Sequence, residues 1–142
     1  MPNIPTHRPS LNRHWLQDEA QRDHGIRLTG FVDNIHSVLA EYPIMVNSMR
    51  IGSGLKNKVL EAFAMGLAVV STGLGIEAIS TAREGVDHIR ADEPANIASA
   101  IKLLIENERL RLSMIKSARK LVLEHYTWNK VAGDLDALLC SL

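Results

Sequence analysis

A basic, glycine-bearing segment carries the residue types best suited to bind an anion. It runs from Arg50 to Lys58 and reads RIGSGLKNK. Gly52 and Gly54 allow positive φ and a close approach of the backbone to a ligand, and Ser53 can cap the helix predicted to follow. The first N–H groups of a helix lack internal acceptors and bind phosphate readily. The amides predicted to open this helix are those of Gly54, Leu55 and Lys56.

Three basic side chains surround these amides: Arg50, Lys56 and Lys58. In one interpretation the glycines only form a turn and the lysines only solvate a helix end. Cations at a helix N-terminus, however, oppose the helix dipole by on the order of a few tenths of a kcal/mol. An anionic ligand would offset that cost, so the sequence favours an anion site.

Glu61 is the second unusual residue, because it lies in the otherwise apolar run VLEAFAM. At helical spacing Leu55, Val59 and Phe63 form the predicted buried stripe, and Glu61 shares another face with Lys58. A surface ion pair with Lys58 would be worth about 0.2–0.5 kcal/mol. The functional alternative is an acceptor directed at the hydroxyl groups of a ligand.

The segment lies inside a predicted strand–loop–helix–strand unit. Ile44–Val46 predicts the first strand, Gly66 ends the helix, and Ala68–Ser71 predicts the second strand. Such a crossover gives parallel strands, and ligands of parallel sheets bind at the carboxyl ends of the strands. The glycine-bearing loop is therefore predicted at the ligand-binding edge of a sheet.

Hydrophobic periodicity and helix-start signals predict the remaining elements. Strands are expected at Ile26–Thr29 and Val86–Ala91. Helices are expected at Ser10–Gly25, Asn34–Glu41, Ile76–Thr81, Pro94–Glu106, Arg109–Glu124 and Thr127–Leu139. The Arg109–Glu124 helix is expected to bury Leu112, Ile115, Ala118, Leu121 and Val122.

Several motifs, in this order, resemble one enzyme family from about residue 26 to the C-terminus. They are TGFVD at 29–33, RIGSG at 50–54, LEA at 60–62, AMG at 64–66, VVST at 69–72, GIE at 75–77 and YTW at 126–128. Together they closely resemble the nucleotide-sugar donor-binding half of GT-B glycosyltransferases of the group 1 family, also called family 4.

The resemblance implies an α/β fold: a Rossmann-like three-layer domain with a parallel sheet of about four or five strands, forming one half of a GT-B fold. Residues 1–142 are expected to form a single donor-binding domain. The proline-rich stretch Met1–Pro9 falls where the family has a strand end. The chain is therefore expected to begin partway through the sheet, to lack the acceptor-binding domain, and to be inactive alone.

By the same resemblance, the full enzyme would transfer a sugar from a nucleoside diphosphate sugar to an acceptor with retention of configuration, using no metal and no cofactor. Arg50 and Lys56 would stabilise the departing diphosphate, and Lys58 would join them or pair with Glu61. Glu61 would hold the ribose hydroxyls. The other donor-binding residues would be Gly52, Ser53, Gly54 and Leu55 in the loop, and Phe31 and Val32 at the base. No catalytic acid, base or nucleophile is assigned.

One position departs from the family pattern. Many members carry two glutamates eight positions apart; Glu61 matches the second, but the first position holds Ser53. A subgroup with an Arg-Ile-Gly-Gly-Gly-like loop shares this feature. A hydroxyl does not replace a carboxylate as a charge-assisted acceptor, so sugar recognition is expected to differ from that of the two-glutamate members.

Two other functions stay open at this point: one half of a GT-B-like nucleotide-sugar epimerase, and a stand-alone phosphate- or nucleotide-binding regulatory module. The sequence lacks the usual catalytic histidine and acid pairs of the former and the acidic cluster of a receiver-type example of the latter. Asp87 and His88 are adjacent and are expected on opposite faces of a strand, so they predict no dyad.

Composition limits the partners and the location. Lys+Arg and Asp+Glu balance at 16 each, and this balance does not favour nucleic acid. The single cysteine, Cys140, excludes an internal disulfide and favours a reducing, cytoplasmic location; the resemblance also allows a peripheral membrane location for a full-length enzyme. The apolar stripe of the Thr127–Leu139 helix favours self-association.

Overall fold

The computed structural model describes residues 13–23, 25–54, 56–130, 132–133 and 136. The chain divides into two compact units, residues 1–35 and 36–142, which are described separately. The single-domain expectation stays a prediction. In the first unit, helix α1 spans Arg13–Arg22, and residues 25–34 are irregular.

The predicted strand at Ile26–Thr29 is wrong. No β-ladder forms in this described stretch, and the side chains of Ile26 and Leu28 are 43% and 49% exposed. A strand is defined by its pairing and is stabilised by burying one face. This run has neither, so its β-branched and apolar composition does not produce a strand.

The second unit alternates strands and helices. After α2 (Ile35–Leu39), which begins at the last residue of the first unit, its elements are β1 (Ile44–Asn47), α3 (Asn57–Met65), β2 (Ala68–Ser71), α4 (Gly73–Ile76), β3 (Ile89–Arg90), α5 (Pro94–Glu106) and α6 (Glu108–His125). The strands pair in the order β1-β2-β3, all parallel. The α/β class and parallel sheet are confirmed, although the described residues contain three strands rather than four or five.

Two hydrophobic clusters lie on opposite faces of β2, which is buried along its whole length. Val69 packs with Val59 and Phe63 of α3 on one face, whereas Val70 packs with Leu104 of α5 on the other. The helix α6 contributes to both clusters. Helices on both faces of the sheet give the three-layer arrangement that the resemblance implied.

Several boundaries differ from the sequence-based expectation. The predicted strand Val86–Ala91 shortens to β3, because the chain turns before it: Asp87 N donates to Arg83 O at 2.9 Å and Gly85 N to His88 O at 2.8 Å. The predicted helix Ile76–Thr81 is instead the earlier α4. The helix α2 is shorter than Asn34–Glu41.

The two long helices match closely, with α5 as predicted and α6 one residue longer at each end. Leu112 is an exception, since it is 55% exposed while Met114 is buried. Asn107 is the N-cap of α6, and its side-chain oxygen accepts from Leu110 N at 3.0 Å.

The C-terminal helix is described only in part. Thr127 Oγ1 accepts from Lys130 N at 3.3 Å, as expected for a helix that starts at Thr127. Trp128 is 89% exposed. Self-association was predicted from the apolar stripe of the Thr127–Leu139 helix. Most residues of that stripe lie outside the described residues, as does Cys140. No helix in the described ranges combines the length and apolarity needed to cross a membrane.

Candidate anion-binding site

The candidate site lies at the carboxyl ends of β1 and β2, which share one edge of the sheet because the strands are parallel. The anion loop, residues 48–56, leaves β1 at this edge and leads into α3. At the same edge β2 leads into α4 after Thr72. Two helix N-termini therefore open at the carboxyl edge of the sheet, as the crossover topology requires.

Backbone conformation in the anion loop depends on its glycines. Gly52 has φ of 134° and Gly54 has φ of 86°, conformations that favour glycine. The loop is open to solvent from Arg50 to Gly54. Below it, Met49 Sδ lies 3.4 Å from the position a Cβ on Gly52 would occupy. The predicted conformational role of both glycines is thus observed.

Lys56 is the most unusual residue of the loop. It is 4% exposed, and its Nζ has no hydrogen-bond partner among the described residues. Its backbone carbonyl accepts from Val59 N at 2.9 Å and Leu60 N at 3.2 Å, which starts α3. Burying an ammonium without an acceptor is unfavourable.

The helix begins later than predicted. Its N-cap is Lys56, with φ −92° and ψ 66°, and no side chain of the described residues makes a capping hydrogen bond there. Ser53 is therefore not the cap, and the amides that lead the helix are those of Asn57 and Lys58 rather than Gly54 to Lys56. Leu55 lies outside the described residues.

Glu61 and Lys58 lie on the exposed face of α3. They form no ion pair in the part of the chain that the structure describes. The opposite face buries Val59, Ala62 and Phe63, which confirms the predicted roles of Val59 and Phe63. Glu61 is therefore not an anomaly within the core: its apolar neighbours point elsewhere, and its carboxylate is available to a ligand.

A polar network fixes the start of the anion loop. Thr72 Oγ1 donates to Met49 O at 2.6 Å and accepts from Gly75 N at 3.2 Å. Asn47 Nδ2 donates to Gly75 O at 3.1 Å. Sequence reasoning did not select Asn47 or Thr72. The available signal was their position, since each stands at or directly after the end of a strand that precedes a predicted ligand-binding turn.

The start of α4 is occupied by the protein's own carboxylate. Asp92 Oδ1 accepts from Gly73 N at 2.7 Å, and Asp92 Oδ2 pairs with Arg90 Nε at 3.1 Å. The hydrogen bond from Gly73 and then the Arg90 guanidinium hold the pKa of Asp92 below its usual value. The Asp92 carboxylate, two residues before the start of α5, thus caps α4.

Comparison with known proteins identifies the family. A family model described as Glycosyl transferases group 1 matches residues 6–107, more than half of the chain. This chain belongs to the group 1 glycosyltransferases. The resemblance predicted from the motifs is thus confirmed. Comparison with curated proteins gave no match.

The fold agrees with that family. The chain is similar to the C-terminal domain of a glycosyl transferase group 1 family protein (LpcC) from Francisella tularensis, with a TM-score of 0.72 and 22% sequence identity. The match covers 82% of this chain and 63% of the LpcC chain. The present chain therefore spans less than two thirds of the length of that chain. At this identity the similarity shows the fold alone.

Two predicted base-lining residues of this group 1 glycosyltransferase lie in its first unit. Phe31 is 92% exposed and Val32 is half-buried. An exposed phenylalanine is available for contact with a ligand or another surface. Their role at a nucleobase stays a prediction.

Asp87 and His88 are both buried, but they serve different contacts. Asp87 accepts from Arg83 Nε at 3.0 Å and from Ser117 Oγ at 2.6 Å. Burial alone would raise the pKa of Asp87, but these hydrogen bonds outweigh it and lower the pKa. Burial lowers the pKa of His88, and its Nδ1 has no partner among the described residues. The predicted placement on opposite faces of a strand is wrong, because both residues precede β3. No hydrogen bond joins their side chains among the described residues.

Proposed function

We propose that this chain is the nucleotide-sugar-binding half of a retaining glycosyltransferase, and that its anion loop binds the diphosphate of a nucleoside diphosphate sugar. The observation that carries the proposal is the buried ammonium of Lys56, which has no partner and stands at a helix N-terminus without a side-chain cap, both within the described residues. Group 1 family membership supports the same conclusion. A regulatory phosphate-binding module would need the same loop but has no support from the family match.

In this proposal the site acts by electrostatic stabilisation. Negative charge accumulates on the diphosphate as the bond to the sugar breaks, and preorganised donors stabilise it best. Lys56 supplies a buried ammonium, Arg50 supplies a guanidinium from the exposed loop, and the leading amides of α3 supply N–H groups. None of these groups needs to transfer a proton.

The remaining residues would orient the donor. Glu61, on the exposed face of α3, would accept from the ribose hydroxyls, and Lys58 would lie beside the phosphates. Ser53 and the glycines would face the sugar.

Transfer itself would require an acceptor-binding half facing this surface, because donor and acceptor must be held together with water excluded. The 142 residues alone are therefore expected to bind a donor without turnover. Retention of configuration, transfer of a hexosyl group and a cytoplasmic location belong to this proposal as well.

The test is Lys56→Met, which removes the ammonium and keeps the length and volume of the side chain. Calorimetric titration should use UDP, GDP and ADP with their nucleosides. For the diphosphate that binds, we expect a loss of about 1.5–3 kcal/mol, the size of a charge-assisted hydrogen bond. The matching nucleoside should lose little affinity.

Lys102→Met is the matched control, since Lys102 is exposed on α5 and pairs with Glu106 at 3.7 Å. Lys102→Met should change neither the affinity for the nucleoside diphosphate nor the affinity for the nucleoside. Lys56→Met should melt at the same temperature as the wild type or higher, because an unpaired buried charge is removed. Equal losses for nucleoside and diphosphate would contradict the assignment of Lys56 to the diphosphate.

A further inference from the structure

We propose that Thr72 is a positioning residue for the anion loop, an inference that rests on the proposed function. Thr72 follows β2 directly and is 5% exposed. It belongs to a different segment from the loop, 23 residues along the chain from Met49. Its hydroxyl nevertheless holds the first part of the loop in place.

One hydroxyl joins two structural elements. As a donor, Thr72 Oγ1 contacts the Met49 carbonyl at 2.6 Å. As an acceptor, it receives the Gly75 N–H of α4 at 3.2 Å. Because Thr72 N also donates to Asn47 O at 3.1 Å, the side chain is itself fixed against the end of β1. The loop is thereby connected to α4 as well as to its own strand.

Met49 transmits this restraint along the loop. Its sulfur packs against Gly52, at 3.4 Å from the position of an added Cβ, and the next residue after Met49 is Arg50. At the far end, Lys56 is fixed by burial and by the first hydrogen bonds of α3. Thr72 thus restrains the N-terminal part of the anion loop at Met49, next to the exposed residue Arg50.

The consequence for binding is preorganisation. A loop that is already ordered loses less conformational entropy when it closes on a ligand. Removing the Thr72 hydroxyl should leave the cations present but less well placed relative to one another. Affinity should therefore fall for ligands that contact the loop through phosphate, and it should stay constant for nucleosides.

The test compares Thr72→Val, which keeps the shape and removes the hydroxyl, with Thr72→Ser, which restores the hydroxyl. If Thr72→Val does not fold, Thr72→Ala replaces it. Thr81→Val is the control, since the Thr81 hydroxyl contacts Tyr126 OH at 2.9 Å and is not part of this network. The readouts are amide hydrogen exchange at residues 49–54 and the affinity for UDP, GDP or ADP against the matching nucleoside.

We expect faster exchange in the loop of Thr72→Val and about three- to tenfold weaker diphosphate binding, as for one lost hydrogen bond. Nucleoside affinity should stay constant, Thr72→Ser should restore both properties, and Thr81→Val should match the wild type. Unchanged loop exchange, or a serine variant that behaves like valine, would overturn the positioning role. If the wild type binds diphosphate and Thr72→Val binds it equally, only the positioning role fails. If the wild type binds no nucleoside diphosphate, the proposed function fails and the positioning role fails with it.

Discussion

The two helices that begin at the carboxyl edge of the sheet, α3 and α4, differ in the charge of the residue at their N-termini. The start of α4 is filled from within: Asp92 accepts from Gly73 N at 2.7 Å and Thr72 accepts from Gly75 N at 3.2 Å. The start of α3 has no side-chain cap in the part of the chain that the structure describes, and its N-cap residue is the buried lysine Lys56. One N-terminus carries an anion of the protein, whereas the other carries a cation.

This difference separates a structural helix start from a ligand-binding one. A helix N-terminus is stabilised by negative charge and destabilised by positive charge. By that rule α4 is complete without a ligand. The start of α3 is unfavourable on its own and would become favourable with an anion. Both helix N-termini thus lie at the same edge of the sheet. The residues at the cap distinguish the structural N-terminus of α4 from the proposed ligand-binding N-terminus of α3.

The largest expected effect comes from breaking the close packing at α4 with Gly75→Ala. An added Cβ would overlap Ser71 Oγ and would lie 2.6 Å from Asn47 Nδ2 and 3.1 Å from Asn47 O. These groups are held by the network and cannot move freely. We expect the free energy of unfolding to fall by roughly 2–3 kcal/mol, as for overpacking in a core, measured by urea denaturation.

Gly73→Ala is the matched control for this prediction. There the close atoms belong to the Arg90 guanidinium, the nearest at 2.7 Å, on a half-exposed side chain that can swing into solvent. Its cost should be about 1 kcal/mol or less, since a surface ion pair is weak. Equal costs at the two positions would show that the Asn47–Ser71–Thr72 network is not rigid.

The sequence predicted the regions whose signals are local. The bounds of α5 follow from Pro94 at the first turn and from regular apolar spacing. The strand–loop–helix–strand unit follows from the two apolar runs and from Gly66, which takes the left-handed conformation at the end of α3. The anion loop was selected because its glycines and cations are contiguous.

The missed features depend on contacts that are distant in sequence. Thr72 reaches Met49 across 23 residues and Asp92 reaches Gly73 across 19 residues, and no local pattern encodes either pair. The buried position of Lys56 was missed for a related reason, because composition alone places a lysine at the surface. Ile26–Thr29 shows the reverse error, since local apolarity predicted a strand for which the described residues provide no partner.

A smaller effect is expected at low pH, where the amide resonances at the starts of α3 and α4 should behave differently. The pKa of Asp92 is lowered in the folded protein by Gly73 and then by Arg90. A lowered carboxyl pKa adds stability above the unfolded pKa, and this stability is lost as pH falls through the folded pKa. The Gly73 amide resonance should therefore shift at a pH below the usual aspartate range of about 3.9.

The leading amides of α3, those of Asn57 and Lys58, should show no such step, because no carboxylate among the described residues caps them. Asp92→Asn should remove the step at Gly73 and leave the spectrum of α3 unchanged. A shared acid transition at both helix starts in the wild type would contradict the view that only α4 carries an internal anion.

The smallest effect on stability is expected for Glu61→Gln, which tests whether the exposed face of α3 is devoted to a ligand. Glu61 is exposed and makes no ion pair with Lys58 within the described residues, so the change should alter the free energy of unfolding by no more than about 0.5 kcal/mol. Affinity should nevertheless fall for every ligand that carries ribose, because the amide keeps one acceptor oxygen and loses the charge.

This pattern distinguishes Glu61 from Lys56, since removal of the lysine should spare the nucleoside and removal of the carboxylate should not. Glu106→Gln is the control, because Glu106 is also exposed on a helix but pairs with Lys102 and lies outside the candidate site. It should bind nucleosides and nucleoside diphosphates like the wild type. If Glu61→Gln lowers the melting temperature sharply and leaves affinity intact, its carboxylate serves the fold. The ligand-facing surface of α3 would then be confined to its first turn.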